Sequence, residues 1–202
     1  MRIIAGRFKG RAIKAVAGTG TRPTTDRVRE AWASSISSLL PQGFDGLRVL
    51  DAFAGSGALG LEALSRGAAF ALFCEKDPRA LTVLKQNLAT LGVGTDNAMP
   101  VLVDVLTPGA ARRGAQWGPF GLVLIDPPYG LAGKKVGGLL QRLANAGALC
   151  EGALVAYEHH KDQGVCLEGL QLGPDGFIAR LWMVSCKTYG ITQIEYLRYQ
   201  RD

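Results

Sequence analysis

The fold is decided by residues 47–60, which read LRVLDAFAGSGALG. An apolar run ends at Asp51, and three glycines then follow with the spacing G-x-G-x-x-G; they are Gly55, Gly57 and Gly60. This order of residues predicts a strand that leads through a glycine-rich turn into a helix, with a nucleotide-like ligand at the turn. Glu75 follows 20 positions after Gly55 and ends the next apolar run, where a carboxylate can accept the hydroxyls of a ribose.

Strands and helices alternate along the whole chain with one period, which predicts an α/β, Rossmann-like fold with a mostly parallel, doubly wound sheet. We expect one domain over residues 1–202. The predicted parallel strands are 47–51, 70–74, 100–103, 122–125 and 153–157. The first predicted helix is capped by Thr24 or Thr25 and has its last apolar position at Leu39, and the later predicted helices are 58–65, 78–91 and 135–146. Residues 177–188 and 191–199 surround a Tyr-Gly pair, which predicts that the sheet ends in an antiparallel hairpin.

Four predicted strands end in an acidic residue; these are Asp51, Glu75, Asp104 and Asp126. Because the carboxyl ends of parallel strands meet at one edge of a sheet, we expect four carboxylates along that edge. Such an edge suits a cationic sulfonium, as in S-adenosylmethionine, and repels the pyrophosphate of a dinucleotide. A dehydrogenase that binds a nicotinamide dinucleotide meets the same glycine spacing and stays as an alternative, which a thermal-shift comparison of the two ligands would separate.

The tetrapeptide Asp126-Pro127-Pro128-Tyr129 closes a buried strand with a stiff turn. An exocyclic amine on a base is a poor nucleophile, since its lone pair is delocalised into the ring. The Asp126 carboxylate and the Pro127 carbonyl can each accept one N–H of such an amine, and Tyr129 offers a ring on which a flipped base stacks. The tetrapeptide therefore predicts methylation of a planar nitrogen, with Asp126, Pro127 and Tyr129 as catalytic residues.

Positive charge is concentrated at the start of the chain. Eight Lys or Arg residues precede Glu30 against Asp26 alone, whereas the net charge of the whole chain is +6. These charges alternate with apolar residues around Gly6 and Gly10, which predicts a two-stranded ribbon rather than a disordered tail. We expect residues 1–22 to form a basic N-terminal β-hairpin that binds RNA, with phosphate contacts from Arg2, Arg7, Lys9 and Arg11.

Several classes of protein are not expected. No apolar run reaches the roughly 18 residues that a membrane span needs, and no signal-peptide segment is apparent, so we expect a cytoplasmic protein. The cysteines form no C-x-x-C pair; they are Cys74, Cys150, Cys166 and Cys186. The pair His159-His160 is interpreted as a polar loop after a strand, and no metal site is predicted.

The glycine-rich stretch, the Asp-Pro-Pro-Tyr box and the N-terminal motifs together resemble the RsmD family of bacterial 16S ribosomal RNA guanine-N2 methyltransferases. The N-terminal motifs are Arg2-Ile3-Ile4-Ala5-Gly6, Thr21-Arg22-Pro23-Thr24 and Arg27-Val28-Arg29-Glu30. The resemblance implies a seven-stranded class I methyltransferase fold that uses S-adenosylmethionine. It also implies methylation of one guanine in the loop of helix 31, in the head of the small subunit, with catalysis at the Asp-Pro-Pro-Tyr box.

The same resemblance implies cofactor contacts at Asp51, Gly55, Glu75 and Asp104. Their neighbours Phe53, Ser56, Gly57, Lys76 and Val105 complete the predicted cofactor-binding set. Arg22 or Thr24 is the candidate for the methionine carboxylate.

Two further functions stay open. A DNA adenine-N6 methyltransferase could use the same Asp-Pro-Pro-Tyr box, although the chain lacks the extra domain that usually reads a DNA sequence. An RNA-binding ribosome-assembly factor without catalysis would explain the basic ribbon but not the complete set of acids. The expected partner is 16S rRNA, either naked or in a 30S subunit or assembly intermediate, and we expect a monomer.

Overall fold

The computed structural model of the protein describes residues 1–16, 26–128, 130–163, 167, 169–172 and 179–201. The chain divides into two compact units, Met1–Val103 and Asp104–Asp202. No helix within the described ranges is long and apolar enough to cross a membrane.

The first unit alternates helices with three parallel strands. Its elements are α1 (Asp26–Leu39), β1 (Arg48–Asp51), α2 (Ala58–Ser65), β2 (Phe70–Glu75), α3 (Pro78–Leu91) and β3 (Ala98–Leu102). The strands lie in the order β3-β2-β1, with Asp51 opposite Phe73 and Glu75 opposite Leu102. The last three residues of β1 and the first five of β2 are buried, as expected for strands covered on both faces. Asp51 and Glu75 therefore end neighbouring strands at the same edge.

The N-terminal segment of the first unit folds back on itself. Arg2 and Ala12 form an antiparallel bridge, and the Ile3 N–H donates to the Arg11 carbonyl at 3.0 Å. Ile3 and Ile13 are buried, which anchors the segment through its apolar residues. We call residues 1–14 the N-terminal ribbon. The extension predicted over residues 1–22 stays a prediction, because residues 17–22 lie outside the described ranges.

The second unit joins two parallel strands to an antiparallel C-terminal part. Its elements are α4 (Pro108–Ala115), β4 (Phe120–Ile125), α5 (Gly133–Asn145), β5 (Leu149–His160), β6 (Gln171–Leu172), β7 (Ala179–Tyr189) and β8 (Thr192–Arg201), with a 3-10 turn at Lys161–Gln163. β4 pairs with β5 in parallel, whereas β5 with β8, β8 with β7 and β7 with β6 are antiparallel. The order in this unit is β4-β5-β8-β7-β6.

The predicted fold class is confirmed: the protein is α/β, with parallel strands followed by an antiparallel C-terminal hairpin. The described residues contain eight strands, one more than the resemblance implied, because the two-residue β6 pairs with Ala179 and Arg180. A two-residue strand has no period to detect. The interpretation of His159-His160 as a loop was wrong, because β5 continues to His160 through pairing with β8.

Candidate active site

The chain leaves β1 through the glycine-rich turn, which we define as residues 52–57. Two glycines of this turn have a left-handed backbone conformation. Gly55 and Gly57 have φ values of +53° and +83°, a region that favours glycine. A Cβ atom on Gly57 would lie 2.3 Å from Leu84 Cδ1, whereas one on Gly55 would meet no atom within 4 Å. Gly57 is therefore required by packing on α3, and Gly55 keeps an open space above the turn.

The buried side chain of Asp51 stabilises the first turn of α2. Its side chain is 2% exposed, and its Oδ2 accepts the Gly60 N–H at 3.0 Å. A Cβ atom on Gly60 would lie 2.3 Å from Phe73 Cε1. The third glycine therefore lets α2 pack closely on β2, and Asp51 satisfies an N–H of the first helical turn that has no partner within the helix.

Glu75 connects the glycine-rich turn to α3. Its Oε2 accepts the Gly55 N–H and its Oε1 accepts the Asp77 N–H, both at 2.7 Å. Each carboxylate oxygen has a second lone pair, and the side chain is partly exposed, so Glu75 retains capacity for ligand hydroxyls. The pKa of the Cys74 thiol is raised to about 12, first by burial and then by the negative charges of Asp51 and Glu75.

The other predicted cofactor residues of the first unit surround this turn. Phe53 and Ser56 are half-buried, and Lys76 is exposed. The Ser56 carbonyl accepts a hydrogen bond at 2.9 Å from Nδ2 of Asn87, a side chain on α3 that is 1% exposed. Sequence reasoning missed Asn87, because an asparagine inside a helical pattern gives no signal until its partners are known.

In the second unit, Asp104 and Val105 begin the loop that leads into α4. Asp104 is partly exposed, and its Oδ1 accepts the Leu106 N–H at 3.0 Å. Val105 is buried. One oxygen of Asp104 thus stabilises the loop, and the other has no hydrogen bond among the described residues.

Asp126 and Pro127 follow the last residue of β4 and are both partly exposed. Burial raises the pKa of Asp126 to about 6, so that the carboxylate form still dominates at neutral pH. Tyr129 lies outside the described residues. Gly130, directly after the box, lines a cavity open to solvent together with His160, Asp162, Gln163 and Ile191.

Glu158 is a second acid beside Asp126. The parallel register pairs Ile125 with Tyr157, so the next residues of the two strands, Asp126 and Glu158, are neighbours on the same face. Glu158 is 7% exposed, and its pKa is raised to about 8 by burial and then by the charge of Asp126. The sequence signal was an acid inside the run AYEHH, which was missed because the strand was predicted to end at Tyr157.

The opposite face of β5 carries an aromatic and acidic cluster. The rings of Tyr157 and His159 stack with centroids 4.8 Å apart, and His159 Nε2 lies 3.5 Å from Glu195 Oε1 on β8. The contact with the Glu195 carboxylate raises the pKa of His159 against the opposing effect of burial. This cluster packs the strand pair and does not face Asp126.

The predicted RNA contacts lie on the N-terminal ribbon, whose Arg2, Arg7, Lys9 and Arg11 side chains are exposed. The Arg7 guanidinium lies 4.6 Å from the Phe8 ring centroid. Arg11 instead donates to the carbonyls of Thr90 and Leu91, which end α3. Arg11 therefore stabilises a helix C-terminus, whereas Arg7 and Lys9 project from the ribbon. The candidates for the methionine carboxylate, Arg22 and Thr24, lie outside the described residues.

Comparison with known proteins decides the family. A family model described as "Conserved hypothetical protein 95" matches residues 1–197. The chain belongs to this family. The resemblance to the RsmD family is thereby confirmed, since relatives within it include "Ribosomal RNA small subunit methyltransferase D" of Escherichia coli K12. That protein is 37% identical over 174 residues, which cover 82% of this chain and 77% of the relative.

Two other relatives match over nearly the full length. "Putative rRNA methyltransferase YlbH" of Bacillus subtilis is 38% identical over 194 residues, 96% of each chain. A solved structure, "Putative methyltransferase yhhF from Escherichia coli", has a TM-score of 0.75 at 32% identity and covers 99% of this chain and 98% of its own. A more distant rRNA methyltransferase, aviRa of Streptomyces viridochromogenes, shares the fold with a TM-score of 0.66 at 19% identity.

Proposed function

We propose that this protein transfers the methyl group of S-adenosylmethionine to the exocyclic N2 amine of one guanine in 16S rRNA, in the helix 31 loop of the small-subunit head. The observation that carries the proposal is the partly exposed Asp126 at the end of β4, in a chain of the RsmD family. The E. coli and B. subtilis relatives named as rRNA methyltransferases support rRNA as the substrate. The guanine and its loop follow from the resemblance to the RsmD family.

The first unit fits a cationic nucleoside as the methyl donor. Gly55 leaves open space above the turn, and the Glu75 carboxylate beside it can accept ribose hydroxyls. The negative charges of Asp51 and Glu75 favour a positive ligand over a pyrophosphate. S-adenosylmethionine supplies an electrophilic methyl group on a sulfonium. We assign Asp51, Gly55 and Glu75 to its binding, with Phe53, Ser56, Gly57 and Lys76 around them. Asp104 and Val105 are assigned to the same ligand from the sequence.

Asp126 and Pro127 align the amine in this proposal. The ionised Asp126 carboxylate and the Pro127 carbonyl each accept one N–H, which takes the nitrogen lone pair out of conjugation with the ring and directs it toward the methyl group. As the N–C bond forms, the nitrogen becomes acidic, and its proton passes to Asp126 or to water. Tyr129 stacks on the flipped base, a role carried over from the Asp-Pro-Pro-Tyr box.

The N-terminal ribbon holds the RNA backbone in this proposal. Arg7 and Lys9 are exposed beside the aromatic ring of Phe8, which suits contact with phosphates and an unpaired base. Arg2 and Arg11 contribute positive potential, while Arg11 also ends α3. The substrate is 16S rRNA, either naked or in a 30S subunit or assembly intermediate, and the protein acts as a monomer.

Mass analysis of 16S rRNA from cells that lack the protein tests this function. We expect loss of one guanine-N2 methyl group, restored by the wild-type chain and by the Asp96→Ala control, which removes an exposed acid elsewhere. Asp126→Ala should bind S-adenosylmethionine but fail to restore the methyl group. Full methylation by Asp126→Ala would contradict the proposed mechanism, and an unchanged rRNA in the deletion strain would contradict the substrate. A methyl group lost instead from DNA adenine would favour the DNA methyltransferase.

A further inference from the structure

Asn87 on α3 connects two parts of the first unit that the proposed function uses separately. Its Oδ1 accepts the Lys14 N–H at 2.8 Å, and its Nδ2 donates to the Lys14 carbonyl at 3.0 Å. The side chain thus pairs with the backbone of Lys14 as a neighbouring strand would. The same Nδ2 donates its second hydrogen to the Ser56 carbonyl at 2.9 Å. Both amide hydrogens are therefore used, one on the N-terminal ribbon and one on the glycine-rich turn.

The Ser56 carbonyl sits in a turn with little freedom of its own. Gly55 is fixed on one side by its N–H bond to Glu75. Gly57 is fixed on the other side, because its backbone packs against Leu84, one helical turn before Asn87. With Asn87 at 1% exposure, no water can replace a lost hydrogen bond without repacking. The Asn87 amide therefore adds a third contact on the turn to those of Glu75 and Leu84, and solvent cannot replace its hydrogen bond to Ser56.

The ribbon docks on the two helices that flank the same turn. On α2, the buried Glu62 accepts the N–H groups of Ile4 and Ala5 at 2.8 and 3.1 Å, and Ser65 Oγ accepts the Phe8 N–H at 3.0 Å. On α3, Arg11 binds the last carbonyls. Asn87 differs from Glu62, Ser65 and Arg11, because among these four residues Asn87 alone also forms a hydrogen bond with the glycine-rich turn.

We propose that Asn87 is a positioning residue that couples RNA on the N-terminal ribbon to the methyl donor at the glycine-rich turn, so that each ligand strengthens binding of the other. A ribbon displaced at Lys14 breaks the hydrogen bonds of the amide that orients Ser56. RNA that holds the ribbon in its docked position therefore favours the donor-binding form of the turn, and the donor favours the docked ribbon to the same extent. This inference rests on the proposed function, which supplies both ligands.

Equilibrium dialysis of radiolabelled S-adenosylhomocysteine measures this coupling, since the ligand is diffusible and has no methyl group to transfer. The dissociation constant is measured for the whole protein alone and with a saturating amount of 30S subunits, or of their extracted 16S rRNA, from cells that lack the protein. We expect RNA to tighten binding to the wild-type protein about tenfold, the effect of one to two hydrogen bonds. In Asn87→Ala, the ratio of the dissociation constant without RNA to that with RNA should fall close to one.

Asn97→Ala is the matched control. Asn97 Nδ2 also donates to a backbone carbonyl, that of Ala69 at 3.0 Å, but its hydrogen bonds involve neither the ribbon nor the turn. It should keep the wild-type ratio. A ratio retained by Asn87→Ala, or a ratio of one in the wild-type protein, would overturn the coupling. If the wild-type protein does not bind S-adenosylhomocysteine, the proposed function is overturned instead.

A second pair of variants tests the coupling from the ribbon, in case Asn87→Ala does not fold. Lys14→Pro removes the backbone N–H that donates to Asn87, while Lys14→Ala removes the same side chain and keeps that N–H. We expect Lys14→Pro to lose the RNA effect on S-adenosylhomocysteine binding and Lys14→Ala to keep it. Equal ratios in the two variants would contradict a role for the Asn87 contact.

Discussion

Glu158 lies beside Asp126 on one face of the second unit, because the pairing of Ile125 with Tyr157 brings the next two residues of β4 and β5 side by side. Two carboxylates in this position cannot both ionise easily, and the more deeply buried one keeps its proton. Glu158 is the less exposed to solvent, and its pKa is raised to about 8, above that of Asp126 at about 6. The pair therefore separates into a mostly neutral Glu158 and a mostly ionised Asp126 at neutral pH.

The Glu158 carboxyl should make the stability of the protein fall as the pH rises. It loses its proton near pH 4.5 when unfolded but keeps it to about pH 8 when folded, so the folded state binds more protons between these values. At about 1.4 kcal/mol per pKa unit, the loss is at most about 5 kcal/mol. Urea denaturation at pH 5 and pH 8 should show this fall in the wild-type protein and a smaller one in Glu158→Gln. Glu151→Gln, on an exposed part of the same strand, should behave as wild type; an equal fall in Glu158→Gln would contradict the assignment.

Gly55 should matter to the methyl donor more than to folding. Gly55→Ala places a methyl group in open space above the turn, at a φ of +53° that costs about 1 kcal/mol for alanine. Gly92→Ala has the same kind of cost, since Gly92 has a φ of +69° with no atom within 4 Å, at the end of α3. Thermal unfolding should show similar losses, whereas calorimetry should show weaker S-adenosylmethionine binding, by tenfold or more, in Gly55→Ala alone. Equal donor affinity in the two variants would argue against a ligand at this turn.

Gly6 should be required for docking of the N-terminal ribbon. A Cβ atom on Gly6 would lie 1.8 Å from the Ser65 carbonyl oxygen, whereas one on Gly10, at nearly the same φ, would meet nothing within 4 Å. Gly10→Ala should therefore cost about 1 kcal/mol of unfolding free energy from backbone strain alone. Gly6→Ala adds loss of the contacts with α2, a further cost of about 1–3 kcal/mol. Chemical denaturation measures the difference, and indistinguishable variants would show that the ribbon docks otherwise.

The four predicted RNA-contacting residues of the ribbon, Arg2, Arg7, Lys9 and Arg11, should separate into two kinds. Lys9→Ala should lower RNA affinity and reduce the dependence of the binding constant on salt by about one unit of slope. Arg11→Ala should mainly lower the unfolding temperature, because it leaves the carbonyls of Leu91 and Thr90 without their partner. Filter binding at several salt concentrations, with thermal unfolding of each variant, measures both effects. The opposite pattern would exchange the roles of Lys9 and Arg11.

The parts of the site that the sequence predicts are those marked by strand ends and glycines. Asp51, Glu75 and Asp126 were found because apolar runs stop at them, and a stop is visible without tertiary structure. Asn87, Glu62 and Glu158 were not found, because each acts through partners far away in the sequence. The bonds of Glu62 to the ribbon span 58 and 57 positions, and those of Asn87 to Lys14 span 73. Such separations give no local pattern, and a polar residue among apolar ones is equally typical of a surface position.

The proton held on Cys74 determines how the protein reacts with thiol reagents. A thiol with a pKa of about 12 presents almost no thiolate at neutral pH, so maleimides and mild oxidants should leave Cys74 intact beside the glycine-rich turn. Cys186 on β7 is exposed, and Cys150 is partly so. A fluorophore can therefore be attached at Cys186 in a Cys150→Ser, Cys166→Ser background, while the chemistry around Glu75 and Gly55 stays untouched.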